Sequence, residues 1–173
     1  MPLKFYLLFG LIILSCFNNS KLKLIKDDFN NSTTYILDNN ILNTYDDTHL
    51  VELNLQQSIS ENGPYYLLII ECLGSNEIGI NDSTNITFML DGIKYKFIPN
   101  NAKVKYDIDP DLIYEEMNFL TEFNFIKKIA YSHNAILKIY GNRKIIHSQL
   151  NLKNKLNFQN FIETFIPLSE QMQ

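Results

Sequence analysis

Ile86-Thr87-Phe88-Met89-Leu90-Asp91-Gly92-Ile93-Lys94-Tyr95-Lys96-Phe97 reads as a β-hairpin closed by an Asp-Gly turn. A two-residue turn of this kind needs positive φ at both central positions, which Asp tolerates and Gly accepts at no steric cost. Folding about that turn sets Leu90 opposite Ile93, Phe88 opposite Tyr95 and Ile86 opposite Phe97. Side chains alternate along a strand, so these six share one face while Thr87, Lys94 and Lys96 take the other. Turn chemistry and hydrophobic register agree, and the register is therefore specified.

The neighbouring segments carry the same two-residue period. Upstream, Val51, Leu53 and Leu55 alternate with Glu52, Asn54 and Gln56, as in a half-buried strand. Tyr65-Tyr66-Leu67-Leu68-Ile69-Ile70 is continuously apolar between Gly63-Pro64 and Gly74, which predicts a central strand covered on both faces. Downstream, a loop is expected around 107–111, then a strand over 115–120. Thr121 can cap a short helix to about Tyr131, with Phe125, Ile126, Ile129 and Ala130 on one face. Gly141-Asn142 separates 135–140 from 145–149 as a second hairpin. A last helix over 153–165 places Phe158, Phe161, Ile162 and Phe165 at i, i+3, i+4 and i+7, and Pro167 stops it. Runs of strands with few helices predict an α+β fold: one domain over 35–173, a mainly antiparallel sheet of about six or seven strands, and two helices packed on one face.

The start of the chain reads as a sorting signal. Lys4 supplies a positive charge, and residues 5–15 are an unbroken apolar or small run. At about 1.5 Å per residue such a helix covers roughly half the hydrocarbon thickness, which suits a secretion signal rather than a membrane span. The run ends in Ile13-Leu14-Ser15-Cys16, and after Phe17 the chain turns polar at Asn18-Asn19-Ser20. These four residues resemble a bacterial lipobox. The resemblance implies cleavage between Ser15 and Cys16 and a diacylglycerol thioether on Cys16. Two or more acyl chains anchor stably where one is marginal. Residues 1–15 are then the signal peptide, and 16–34 the lipidated Cys16 with an Asn/Ser/Lys/Asp-rich tether.

The 173 residues carry 15 Lys+Arg against 19 Asp+Glu, a formal charge of −4, and losing Lys4 makes the mature chain −5. Such acidity argues against nucleic acid as a partner. The 23 Ile, 22 Asn and 14 Lys against 3 Ala and 2 Val reflect an A/T-rich coding bias rather than chemistry. Cys72, inside an apolar run, is expected to be a buried thiol acting as a small hydrophobe.

No spacing points to catalysis or to a metal. Asp107, Asp109 and Asp111 resemble half of a calcium loop, but Leu112 stands where the turn needs Gly and Asn118 where a bidentate Glu belongs. His49, His133 and His147 are isolated in sequence and default to surface or turn positions. Adjacent pairs such as Glu115-Glu116 point to opposite faces of a strand and do not converge. The expectation is therefore no catalytic residue, no metal and no cofactor. Lys94 and Lys96, on the hairpin's outer face, are the candidate contact face.

Lipobox, Asn/Lys/Ile-rich composition and one compact α+β domain together resemble the small lipoproteins of spirochaetes. That resemblance implies a membrane anchored through Cys16 as partner and a place in the cell envelope, at the outer membrane. The leading expectation is a non-enzymatic binding or envelope-structure module with a protein or host macromolecule as partner. A carrier of a lipid or other apolar ligand is the alternative, and an envelope enzyme the second alternative.

Overall fold

The computed structural model of the protein describes residues 20–28, 31–61, 63–109 and 112–167, those at 104–109 by their backbone. Eleven strands and two helices run among them: β1 (Lys21–Asp27), β2 (Ser32–Asp38), β3 (Asn43–Thr44), β4 (His49–Ser60), β5 (Gly63–Gly74), β6 (Asn85–Leu90), β7 (Ile93–Phe97), β8 (Asn101–Asp109), β9 (Leu112–Thr121), α1 (Phe123–Tyr131), β10 (Ala135–Tyr140), β11 (Ile145–Leu150) and α2 (Leu152–Phe165). All pairings are antiparallel. The α+β class stands, but the strands form two sheets: a first of six, β1-β2-β4-β5-β9-β8, and a second of five, β3-β11-β10-β6-β7.

The hairpin forms with the expected register, Leu90 to Ile93, Phe88 to Tyr95 and Ile86 to Phe97. Asp91 and Gly92 hold φ of 49° and 86°, as the turn requires. The Asp91 carboxylate also accepts the backbone N–H groups of His133 and Asn134 at 3.2 and 2.8 Å, tying the turn to the α1–β10 connection.

One continuous buried cluster draws on the inner face of each sheet and on both helices. β4 and β5 give it Val51, Leu53, Leu55, Leu68 and Ile70, while β6 and β10 give Ile86, Phe88, Leu137 and Ile139. Phe125 of α1 joins the layers, with its ring 5.4 Å from Phe88 and 4.7 Å from Phe97. Phe88, Phe119, Phe158 and Phe161 are fully buried, each contributing about 1.5–3 kcal/mol of transfer free energy. Phe165, at the end of α2, stacks on Tyr35 of β2 at 4.5 Å.

Polar groups fasten α2 as well. Asn151 and Asn154 close a capping box at its start. The Asn154 amide donates to Asn40 Oδ1 at 2.9 Å and to the Ile41 carbonyl at 2.7 Å. Asn40, fully buried, in turn donates its backbone N–H to Asn54 Oδ1 and its side-chain amide to the Leu53 carbonyl. A buried amide is tolerated because it is satisfied in this way.

Four expectations are corrected. The stretch read as tether to 34 is strand from Lys21: β1 and β2 pair from Lys21–Asp38 to Asp27–Ser32, β1 being polar as the exposed edge strand and β2 half-buried between β1 and β4. The apolar run in β5 is central, but only Tyr66, Leu68 and Ile70 are buried, while Tyr65 faces solvent and Leu67 and Ile69 lie half-buried on the outer face. The loop expected from 107 is instead the end of β8, paired with β9. Thr121 ends β9, and Glu122 is the N-cap of α1, with no side-chain cap bond. Among the described residues no helix is long and apolar enough to cross a membrane.

Candidate functional site

The five strands of the second sheet contain no Asp or Glu. Its outer face carries Lys94 and Lys96 on β7, and the register adds a cation that spacing could not show: Lys138 of β10 pairs with Thr87 of β6, which pairs with Lys96. Thr87, Met89, Lys94, Lys96, Lys138 and Tyr140 line a hollow of about 200 Å³. Lys94 and Lys96 are exposed and Lys138 is half-buried. Among the described residues none of these three ammonium groups has an ion-pair or hydrogen-bond partner. The predicted contact face is thus one positively charged surface without internal neutralisation.

The outer face of the first sheet gathers carboxylates at its centre, with Lys23 paired to Asp38 and Lys103 to Glu116 at 3.9 Å. Asp38, Glu52 and Glu71 bring carboxylate oxygens within 4.8 Å of one another. Asn54 donates to Glu52 at 3.2 Å and to Glu71 at 3.0 Å. The Tyr114 hydroxyl donates to Glu71 at 2.8 Å and Glu116 at 3.1 Å. Burial, with the Glu71 and Asp38 charges beside it, raises the Glu52 carboxyl above its ordinary value, although the Asn54 bond opposes this. Burial and the two carboxylates it serves raise the Tyr114 phenol likewise. Carboxylate oxygens are the ligand type a divalent cation takes, but Lys23, Asn54 and Tyr114 already engage these three carboxylates. They come from three strands, so no sequence spacing announces them.

A third region groups His49, Asp46 and Thr48. His49 is buried rather than at the surface, which corrects its expected position. Its Nδ1 lies 2.8 Å from Asp46 Oδ2 and 2.9 Å from the Thr48 hydroxyl, while Nε2 lies 2.7 Å from the Asn76 carbonyl. A nucleophile-activating histidine holds its hydroxyl on one nitrogen and its acid on the other. Here hydroxyl and acid share Nδ1 and a backbone carbonyl covers Nε2, so the cluster is a structural clasp. Burial opposes ionisation of Asp46, but hydrogen bonds from Lys144, Thr48 and His49 outweigh it and hold the carboxyl well below its usual range.

Glu115 and Glu116 point to opposite faces. Glu115, on the core side, accepts three backbone N–H groups, while Glu116 lies on the outer face beside Tyr114 and Lys103. Cys72 is free and buried, and burial with the Glu115 and Glu71 charges raises its thiol, which suppresses the reactive thiolate. A wider groove of about 610 Å³ runs between Ile93 and Tyr95 of β7 and Asn124, Lys128 and Tyr131 of α1. Lys128 Nζ sits over the Tyr95 ring at 5.0 Å. Ser15 and Cys16 lie outside the described residues, and only the backbones of Asp107 and Asp109 within them. No family model matches the chain, and neither the curated proteins nor the solved structures contain a significant match to it.

Proposed function

We propose that the chain is a membrane-anchored bacterial lipoprotein of the cell envelope, and that its domain is a non-enzymatic binding module. Cys16 would carry the lipid, and the outer face of the second sheet would be the contact face. The observation that supports this most is the segregation of charge: Lys94, Lys96 and Lys138 stand unpaired on a sheet whose strands hold no acid, in a chain of net charge −4. Unneutralised like charges on one face repel one another, and an opposite partner surface removes that cost. The clasped geometry at His49 and the buried thiol of Cys72 favour binding over catalysis.

Two measurements test the two halves. Labelled palmitate should enter the wild-type chain and be lost in Cys16→Ala, and equal labelling of both would remove the anchor. Purified Cys16→Ala protein, which carries no lipid, should sediment with envelope fragments from cells lacking it, and the same protein with K94E/K96E/K138E should stay in solution. Equal sedimentation of both proteins would remove the contact face.

A further inference from the structure

The geometry points to a ligand class for the hollow on the second sheet: a phosphomonoester group, held by Lys94, Lys96 and Lys138. The inference rests on the contact-face reading and narrows it to one chemistry.

Lys94 and Lys96 stand two residues apart on one face of β7, about 7 Å along the strand, and Lys138 lies two strands away, about 10 Å across. Flexible four-carbon stems let the three ammonium groups converge on a group seated between them. A phosphomonoester brings three strong acceptor oxygens and a charge of about −1.5 to −2 at neutral pH, one oxygen for each ammonium. Lysine serves phosphate as a point charge that needs no planar pairing geometry.

The rest of the lining fits the same group. The Thr87 hydroxyl and the Tyr140 phenol are additional donors, while Met89 and the Tyr140 ring offer apolar contact to whatever bears the phosphate. The strands around the hollow present no carboxylate to repel it. Its 200 Å³ equals about seven waters at roughly 30 Å³ each, enough for the phosphate and a few attached atoms. A long polyanion is disfavoured, because the net charge of −4 repels it beyond the hollow.

The test titrates the full chain in detergent with inorganic phosphate and with glucose 6-phosphate, reading the amide resonances of Lys94, Lys96 and Lys138. Saturable shifts centred on these residues are expected. Combined Lys96→Gln and Lys138→Gln should weaken binding at least about tenfold, the scale of one lost charge-assisted hydrogen bond. Lys153→Gln, on α2, should leave binding unchanged, and unaltered circular dichroism would show that the variants fold. Phosphatidylcholine vesicles with and without phosphatidic acid, offered to the Cys16→Ala chain that has no lipid of its own, distinguish a lipid headgroup from a soluble phosphate, and binding to free phosphate or dependent on phosphatidic acid supports the assignment. Flat titrations, equal binding by the double variant, or equal affinity for acetate would overturn it. If envelope sedimentation still depends on the three lysines while phosphate titrations are flat, the ligand class alone falls. If both fail, the contact face falls with it.

Discussion

The Glu115 carboxylate accepts the backbone N–H of Ile78 at 2.7 Å, in a core where Glu115 is 1% exposed. Gly79 and Ile80 donate to the same side chain, each at 2.9 Å. One side chain thereby satisfies three successive amides of the irregular segment between β5 and β6. A carboxylate with several backbone donors can be buried where a bare one could not. Glu115→Ala orphans the three amides and is expected to cost on the order of 3 kcal/mol. Glu115→Gln keeps an acceptor oxygen and should cost less. Urea unfolding measures both, and amide exchange at 78–80 should quicken in the Ala variant first. An Ala variant within about 0.5 kcal/mol of wild type, the usual range for surface changes, would contradict this account.

Asp46 makes the stability depend on acid. Its folded carboxyl titrates below the ordinary value of 3.8, so the ionised form is favoured by folding. That contribution is fully present above 3.8 and is lost as the pH falls from there toward the depressed folded value. Thermal unfolding across this range should show Asp46→Asn less stable than wild type at neutral pH, with the gap closing in acid. A gap independent of pH would show that packing, not charge, is the link.

Glu52 carries the opposite sign. Its carboxyl is raised above 4.5 by burial and by Glu71 and Asp38, so its ionised form is penalised in the folded state. The penalty is complete above the raised folded value and vanishes as the pH falls through that value to 4.5. Glu52→Gln relieves it while keeping an acceptor for the Asn54 amide. The variant should melt about 2–4 °C higher at neutral pH for roughly each kcal/mol relieved, and the advantage should shrink in acid. A lower melting temperature at neutral pH would show that the carboxylate is needed.

Two glycines should respond differently to a methyl group. A Cβ on Gly141 would lie 2.2 Å from the Ile78 carbonyl oxygen, so backbone must move. At Gly92 the space is open and only φ of 86° resists substitution. Gly92→Ala should cost about 1–2 kcal/mol of conformational strain, and Gly141→Ala about 3 kcal/mol or more through overpacking. Chemical denaturation ranks them, and the reverse order would mean that the contact near β10 relaxes freely.

Much of the fold was legible because its signals are local. The Asp91-Gly92 turn, the alternation in β4 and the 3.6-residue stripe of Phe158, Phe161 and Ile162 each involve residues a few positions apart. β1 was not legible, because a sheet edge exposed to water keeps a polar composition like that of a tether, and β2 begins inside the same polar stretch although it lies half-buried between β1 and β4. The outward pointing of Lys94 and Lys96 followed from the register, but their grouping with Lys138 depends on β10 pairing with β6.

The sequence by itself determined the hairpin register, the facing of α1 and α2, and the antiparallel α+β class, since period and turn chemistry act between near neighbours. Only the tertiary structure decided the division into two sheets, the gathering of Lys94, Lys96 and Lys138 on one and the clustering of Asp38, Glu52 and Glu71 on the other. It also decided which polar residues could be buried. Asn40, Asn54 and Asn154 look like coding bias in a chain with 22 Asn, yet all three are interior. The reason is physical: a buried polar group costs free energy unless its donors and acceptors are met. For Asn154 that partner is Asn40, 114 positions away, and for Glu115 it is the backbone of Gly79, 36 positions away.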